Sequence, residues 1–338
     1  MFLESELMMP TQTKKTVEQY LYTGIRLKRA AEKELNEKGL NPMRLAEWLN
    51  ERIKNGRYAK STNRTYKAAL LSYFKHLAEN TPRKAEAIIF LSNVYNDRSP
   101  KKKIKETSAK KSKSLSEGDY EKLKKYVDKH GTKYQKEGLK WLRATIDCGL
   151  RPSEWKSAEL VKREFNTGLE DVLKVRNGKN TNNRANGDYR HIVITKFEPE
   201  NFNNVTALLS FLKTSDITFE SKYEKCRKAI NYASRQTFPR RKHQISLYSA
   251  RHQFAANMKL AGYSKKFVAA LMGHGDALTA SMKYARSKKG SVGPQKVSGL
   301  AKEVATVKTK NLEKSEAKIA NVIEKNTVKT TASRHRMR

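Results

Sequence analysis

The chain has 338 residues, with 71 Lys+Arg against 34 Asp+Glu and a formal net charge of +37. An excess of that size opposes its own compaction unless a polyanion relieves it, so nucleic acid is the leading partner. An anionic membrane is the competitor, but no uncharged apolar run approaches ~18 residues, and the opening "MFLESELMMP" has acids where a signal peptide has bases. A soluble, cytoplasmic, DNA-associated protein is expected, long enough for two domains. Cys148 and Cys226, the only cysteines, lack the paired spacing of a disulfide scaffold or zinc site and read as buried thiols. No H-E-x-x-H, phosphate-binding loop or dinucleotide turn occurs, so neither metal nor cofactor is expected.

In chain order, residues 14–96 read as helical. "NPMRLAEWLNERI" starts with Asn41 as cap and Pro42 at the first helical position. "TNRTYKAALLSYFKHLAEN" sets Tyr66, Leu70, Tyr73, Phe74 and Leu77 on one stripe, with Ser61 or Thr62 as cap. This helical domain spans 1–97. Residues 98–113 form a basic linker, and "SPKKKIKETSAKKSK" holds seven lysines and one glutamate without periodicity. It reads equally as a disordered spacer or as a strap on phosphates, through Lys101, Lys102, Lys103, Lys110, Lys111 and Lys113.

A second domain, 114–290, opens where Ser116 and Asp119 stand at capping-box spacing. "QKEGLKWLRATIDCG" is a helix ending at Gly149, followed directly by "LRPSEW". "DVLKVRNGKN" and "YRHIVIT" read as two strands of a hairpin with a long polar tip, and helices are expected over 203–213 and 221–236. From Ala250 a helical stripe of Ala250, Phe254, Met258 and Ala261 places Arg251 at its border. "KKFVAALM" follows, capped by Ser264 and stopped by Gly273, and Asp276 caps a third helix bearing Tyr284. The tail, 291–338, offers one amphipathic helix through Val304, Val307, Leu312, Ile319, Val322 and Ile323, then a basic end.

"CGLRPSEW", "LYSARHQFA", "LMGHGD" and "MKYAR", in this order, resemble the catalytic domain of the tyrosine recombinases, the phage integrases. The resemblance covers about 114–290 and, more loosely, the "TNRTYKAALLSYFKHL" helix, which is similar to that family's core-binding domain. It implies a mainly α fold with a small β-hairpin or sheet (α+β), built as a two-domain C-shaped clamp on double-stranded DNA. It also implies strand cleavage through a 3′-phosphotyrosyl link on Tyr284 and strand exchange in a homotetramer on two sites. Accessory DNA-bending or directionality proteins are possible partners, and mobile-element integration or excision is the expected task.

The chemistry agrees with those positions. Cutting DNA without a metal needs a nucleophile, charge for the transition state and an acid for the departing 5′ oxygen. Tyr284 suits the first, and Arg151 and Arg251 suit two oxygens of one phosphate. His274 would donate a hydrogen bond to it, and Lys179 in the hairpin would be the acid, although Lys174 and Arg176 share that hairpin. Glu154 would orient the clamp, and His252 would make a structural hydrogen bond. Arg240 and Arg241 are further candidates for DNA contact.

Tyr248 stands where the family most often has histidine, and a phenol accepts protons poorly at neutral pH. Three accounts remain: the base role passes to His274 or solvent, it is dispensable, or the enzyme is slow, with His243 a poorer substitute on spacing. Two alternatives follow: a DNA-binding homologue that has lost strand transfer, or a type IB topoisomerase or telomere resolvase using the same chemistry. For the tail, docking on a neighbouring protomer is expected, with a free DNA-binding tail as the rival.

Overall fold

The computed structural model describes residues 13–78, 81, 83–94, 112–166, 168–178, 180, 185–284, 286–291 and 296–317. The chain divides into two compact units, Met1–Ser108 and Ala109–Arg338. Lys101, Lys102, Lys103, Lys110, Lys111 and Lys179 lie outside the described residues, as does the chain after 317.

Four helices build the first unit: α1 (Lys14–Leu35), α2 (Pro42–Lys54), α3 (Lys60–Lys75) and α4 (Lys84–Asn93). The Asn41 side chain accepts from the Arg44 N–H at 2.9 Å, and Pro42 follows it, as its sequence indicates. By contrast α3 starts after Ala59 with no side-chain cap, so Ser61 and Thr62 fall inside its first turn. Its stripe is core nonetheless: Leu70 and Phe74 are fully buried, with Tyr66, Tyr73 and Leu77 packed around them. Helices α1 and α3 approach closely at Gly24, where an added Cβ would sit 2.5 Å from the Tyr73 Cβ.

The second unit is also mostly helical. Helix α5 (Glu117–His130) starts with the Ser116 hydroxyl accepting from the Asp119 N–H at 3.2 Å, while the Asp119 carboxylate turns to Arg241 at 2.8 Å. Helix α6 (Lys133–Cys148) carries Trp141, Leu142 and Ile146 into the core and stops at Gly149 in a left-handed conformation, φ 72°. After a 3₁₀ turn, Pro152–Ser157, the chain forms β1 (Glu159–Phe165), β2 (Gly168–Arg176) and β3 (Tyr189–Val193). All pair antiparallel, with Val172 opposite both Val161 and Val193. The expected hairpin is β2–β3; the sheet is larger than the sequence suggests, because β1 and the short β4 (Ser298–Gly299) extend it to four strands. "ELVKREF" escapes a strand reading because its charges interrupt the apolar alternation, and β4 is only two residues long.

Helices α7 (Pro199–Lys213) and α8 (Phe219–Thr237) pack on α6. The core of the unit is threaded by α9 (Leu247–Leu260), in which Leu247 and every residue from Ser249 to Met258 are buried. Arg251 is therefore not at the border of an apolar stripe; it is fully enclosed. After α10 (Lys265–Leu271), α11 (Ala277–Lys283) starts with Asp276 accepting from the Leu278 N–H at 2.8 Å. Tyr284 lies just past the end of α11, on extended backbone, rather than within it.

The tail differs from a single amphipathic helix. Residues 301–305 form α12, the chain turns, and a second helix runs from 310 to the last described residue. This segment lies on its own unit: Ser298 and Gly299 pair with β3, Val297 and Val307 are in the core, and Glu303 bonds His191 at 2.6 Å. In the single chain, residues 296–317 are thus packed on their own unit. Among the described residues no helix is long and apolar enough to cross a membrane.

Gly149 tests the α6 stop. An added Cβ would meet the Phe254 ring, and the positive φ disfavours any side chain. Gly149→Ala is expected to cost about 2–4 kcal/mol of stability, combining backbone strain with overpacking; thermal or urea unfolding measures it, and a loss under 0.5 kcal/mol would contradict this account.

Candidate active site

Chain stops set out the site. Just beyond the α6 stop, Arg151 begins the 3₁₀ turn, donating its backbone N–H to Glu154 Oε2 at 2.7 Å and its guanidinium to Glu154 Oε1. Glu154 is itself buried. It also accepts from the Gly178 N–H at the hairpin, 3.1 Å, and from Arg190 Nη2 on β3 at 2.7 Å. Arg251 Nη1 lies 3.4 Å from the same carboxylate. Burial opposes the charge on Glu154, but Arg190, Arg251 and Arg151 outweigh it and hold the carboxyl well below the usual carboxylate range.

Arg251 is the hub. Its Nη1 donates to the Gly149 carbonyl at 2.5 Å, its Nη2 to the Met272 carbonyl at 2.7 Å and toward His274 Nε2 at 3.0 Å, and its Nε to the Tyr284 hydroxyl at 3.1 Å. The two backbone acceptors are the ends of α6 and α10, where helix carbonyls lack intrahelical partners. Thus the sequence that breaks each helix also supplies an anchor for the buried guanidinium.

His274 follows Gly273, whose φ of 64° closes α10. Burial first, then Arg251, Arg151 and Arg190, drive the imidazole pKa down to about 2. It is therefore neutral at any physiological pH. As placed, Nε2 accepts from Arg251, so the proton belongs on Nδ1; donation to a phosphate through Nε2 requires the other tautomer.

Tyr284 Oη lies 3.1 Å from Arg251 Nε and 3.3 Å from Tyr248 Oη. Its ring packs against those of His252 and His274, at 5.0 and 5.2 Å between centroids. Burial raises a phenol's pKa, but the Arg251 charge, hydrogen bonds from Tyr248 and Arg251, and the Arg151 charge overcome it, so Tyr284 lies below the ordinary phenol value. Tyr248 moves the opposite way, pushed up to about 12 by burial and by Tyr284. Of the two phenols, Tyr284 is therefore the more readily ionised and Tyr248 the better hydrogen-bond donor.

Arg151, Glu154, Tyr248, Arg251, His252, His274 and Tyr284 converge at this one place. His252 meets the rings of Tyr248 and Tyr284 from α9. Of the residues considered for DNA contact, Lys113 and Arg240 are exposed, whereas Arg241 is held by Asp119 and over the Phe238 ring at 4.4 Å. Sequence reading missed Arg190, which is fully buried. Its signal was present, since strand alternation puts Arg190 on the same face as the buried Ile192. Among the described residues no group of His, Cys, Asp and Glu could hold a metal ion.

A mostly helical unit around a small antiparallel sheet thus brings two arginines and a neutral histidine to a phenol of lowered pKa. Residues 113–290, more than half of the chain, match the model of the phage integrase family, and the chain belongs to that family, the tyrosine recombinases. No curated protein matches it in sequence. Among solved structures it is similar to the XerH site-specific recombinase bound to palindromic difH substrate in a post-cleavage complex, at 17% identity and TM-score 0.49, over 80% of this chain and 75% of that one. A lambda integrase dimer bound to a COC′ core site is similar at 13% identity and TM-score 0.48, over 84% and 75%. The Tn1549 transposon integrase in complex with transposon right end DNA is similar at 16% identity and TM-score 0.46, over 82% and 90%.

Proposed function

We propose that the chain is a site-specific DNA recombinase that cleaves and rejoins strands through Tyr284, in the integration or excision of a mobile element. The observation that carries this reading is the bond from the buried Arg251 Nε to the Tyr284 hydroxyl, which joins a fixed cation to the phenol that must ionise. The Tyr284 oxygen attacks the phosphorus, the bond from phosphorus to the 5′ oxygen breaks, and a proton is delivered to that oxygen. Arg151 and Arg251 neutralise the charge gathering on the non-bridging oxygens. Lys179 is the proposed acid, on its motif position alone. The 3′-phosphotyrosyl bond conserves the energy for rejoining, so reversal by a 5′-hydroxyl needs no nucleotide. Two protein-bound sites in a homotetramer would supply the partner strands, with the first unit and exposed cations such as Lys113 and Arg240 giving affinity for the backbone.

Tyr248 fits this scheme as a donor rather than a base. By hydrogen-bonding the Tyr284 oxygen it favours the phenolate, the service a base would otherwise perform by removing the proton. Tyr248→Phe is expected to raise the pKa of Tyr284, moving the rise of the cleavage rate to higher pH and lowering the rate at pH 7 about 5- to 10-fold. An unchanged profile, measured as adduct formation against pH, would remove Tyr248 from the mechanism.

The enzyme reading is tested with nicked duplexes of randomised sequence, in which the broken strand lets the cleaved fragment diffuse away. Wild-type protein should capture a subset sharing a sequence as covalent adducts. Absence of any adduct would leave a DNA-binding homologue. Relaxation of supercoiled plasmid without site dependence would mark a topoisomerase.

A further inference from the structure

Three arginines, Arg151, Arg190 and Arg251, crowd the Glu154 carboxylate. The remaining question is why a second, wholly enclosed arginine stands behind the clamp. Arg190 Nη2 bonds Glu154 Oε2 at 2.7 Å, Nη1 bonds Asn177 Oδ1 at 2.6 Å, and Nε bonds the Leu271 carbonyl at 2.8 Å. Asn177 in turn ties the base of the hairpin, donating to the carbonyls of Asn186 and Gly187 at 2.9 and 3.0 Å. At Gly273 a side chain would collide with Asn177 and Arg190, so the turn leading to His274 is packed on this pair. Every hydrogen-bonding direction of Arg190 points inward, and with under 2% of its surface exposed it cannot touch DNA.

The distances around Glu154 Oε2 suggest what it does there. Arg190 holds that oxygen at 2.7 Å while Arg251 Nη1 stands off at 3.4 Å, its main bond on that nitrogen going to Gly149. We propose that Arg190 is a positioning residue that keeps the Glu154 carboxylate from closing on Arg251, so that Arg251 retains its charge for the scissile phosphate and for the Tyr284 oxygen. This rests on the recombinase reading for its purpose, though not for its electrostatics. Without Arg190, Glu154 has one fewer cation and a short path to the next. Closing on Arg251 would partly neutralise the charge that lowers the Tyr284 pKa.

The groups facing Tyr284 are Tyr248, Arg251 and His252 from α9, His274 after α10, and Arg151 with Glu154 from the 3₁₀ turn. His274 stays neutral. Arg286, Lys288 and Lys289, which follow Tyr284, are exposed. Ionisation of Tyr284 therefore reports the balance between Glu154 and the arginines.

The test follows Tyr284 directly, in full-length protein without DNA. With tyrosine labelled at Cζ, the 13C resonance absent from Tyr284→Phe identifies this residue among 15 tyrosines, and its titration is recorded for wild type, Arg190→Met, Arg190→Lys and Arg190→Met/Glu154→Gln. Arg190→Met should move the titration to higher pH, Arg190→Lys should move it less, and removing the Glu154 charge as well should return it toward wild type. Adduct formation at pH 7 should follow the same order, falling about tenfold in Arg190→Met. A titration unmoved in both single variants, or a double variant no closer to wild type than Arg190→Met, overturns the proposal. If Arg190→Met does not fold, the comparison of Arg190→Lys with Arg190→Lys/Glu154→Gln decides by the same criterion. Shifted titrations with no adduct from wild type would instead uphold the partition and overturn the recombinase reading.

Discussion

Tyr284→Phe is expected to abolish covalent adduct formation, by at least ~10⁴-fold, because Tyr284 is the phenol of lowered pKa beside Arg251, while its neighbour Tyr248 is pushed up to about 12. The variant keeps the ring that packs against His252 and His274. Arg251 loses one of its acceptors but retains the Gly149 and Met272 carbonyls. Stability should therefore change by no more than about 1 kcal/mol. Affinity for duplex DNA should be unaffected, since the charge excess resides elsewhere in the chain. Residual adduct at a tenth of the wild-type rate would show that another residue, with Tyr248 the nearest phenol at 3.3 Å, can take over the attack.

The second large effect is expected at Arg251. Arg251→Lys preserves the formal charge but not the fork: one ammonium cannot reach the Gly149 carbonyl, the Met272 carbonyl and the Tyr284 hydroxyl together. Adduct formation should fall about 10²–10³-fold, the scale of losing one preorganised transition-state donor. The Tyr284 titration should also move up, since Arg251 is the largest influence lowering it. Equal activity in the lysine variant, measured by single-turnover cleavage, would mean that charge alone suffices and that the buried geometry is incidental.

Arg151, His274 and Tyr284, proposed to carry this chemistry with Arg251, were legible in the sequence because each stands beside a helix end. Gly149, Gly273 and Asp276 mark ends and starts that a local pattern can reveal, and Arg151, His274 and Tyr284 follow them at short distances. Cys148 and Cys226 are buried thiols as read. What stayed hidden depends on contacts far apart in the chain. That α9 is buried on almost every face depends on α6 and the turn carrying Lys289, whose carbonyl receives Gln253 at 2.8 Å. Arg251 looked like a border charge because a 3.6-residue stripe shows one apolar face and says nothing of partners over the others. Arg190 looked like an ordinary strand charge because its acceptors lie 13 to 81 positions away. The tail misled for a related reason: its apolar residues suit one helix, but Val304, Val307 and Leu312 are spent on the core of its own unit through two shorter pieces.

The most direct measurement is the chemical identity of the captured bond. Wild-type protein trapped on the nicked duplexes should be digested and the nucleotide-bearing peptide sequenced by mass spectrometry. The account predicts a 3′-phosphate ester on Tyr284 and a released 5′-hydroxyl. A nucleotide on any other residue, or a 5′-linked adduct, would contradict it.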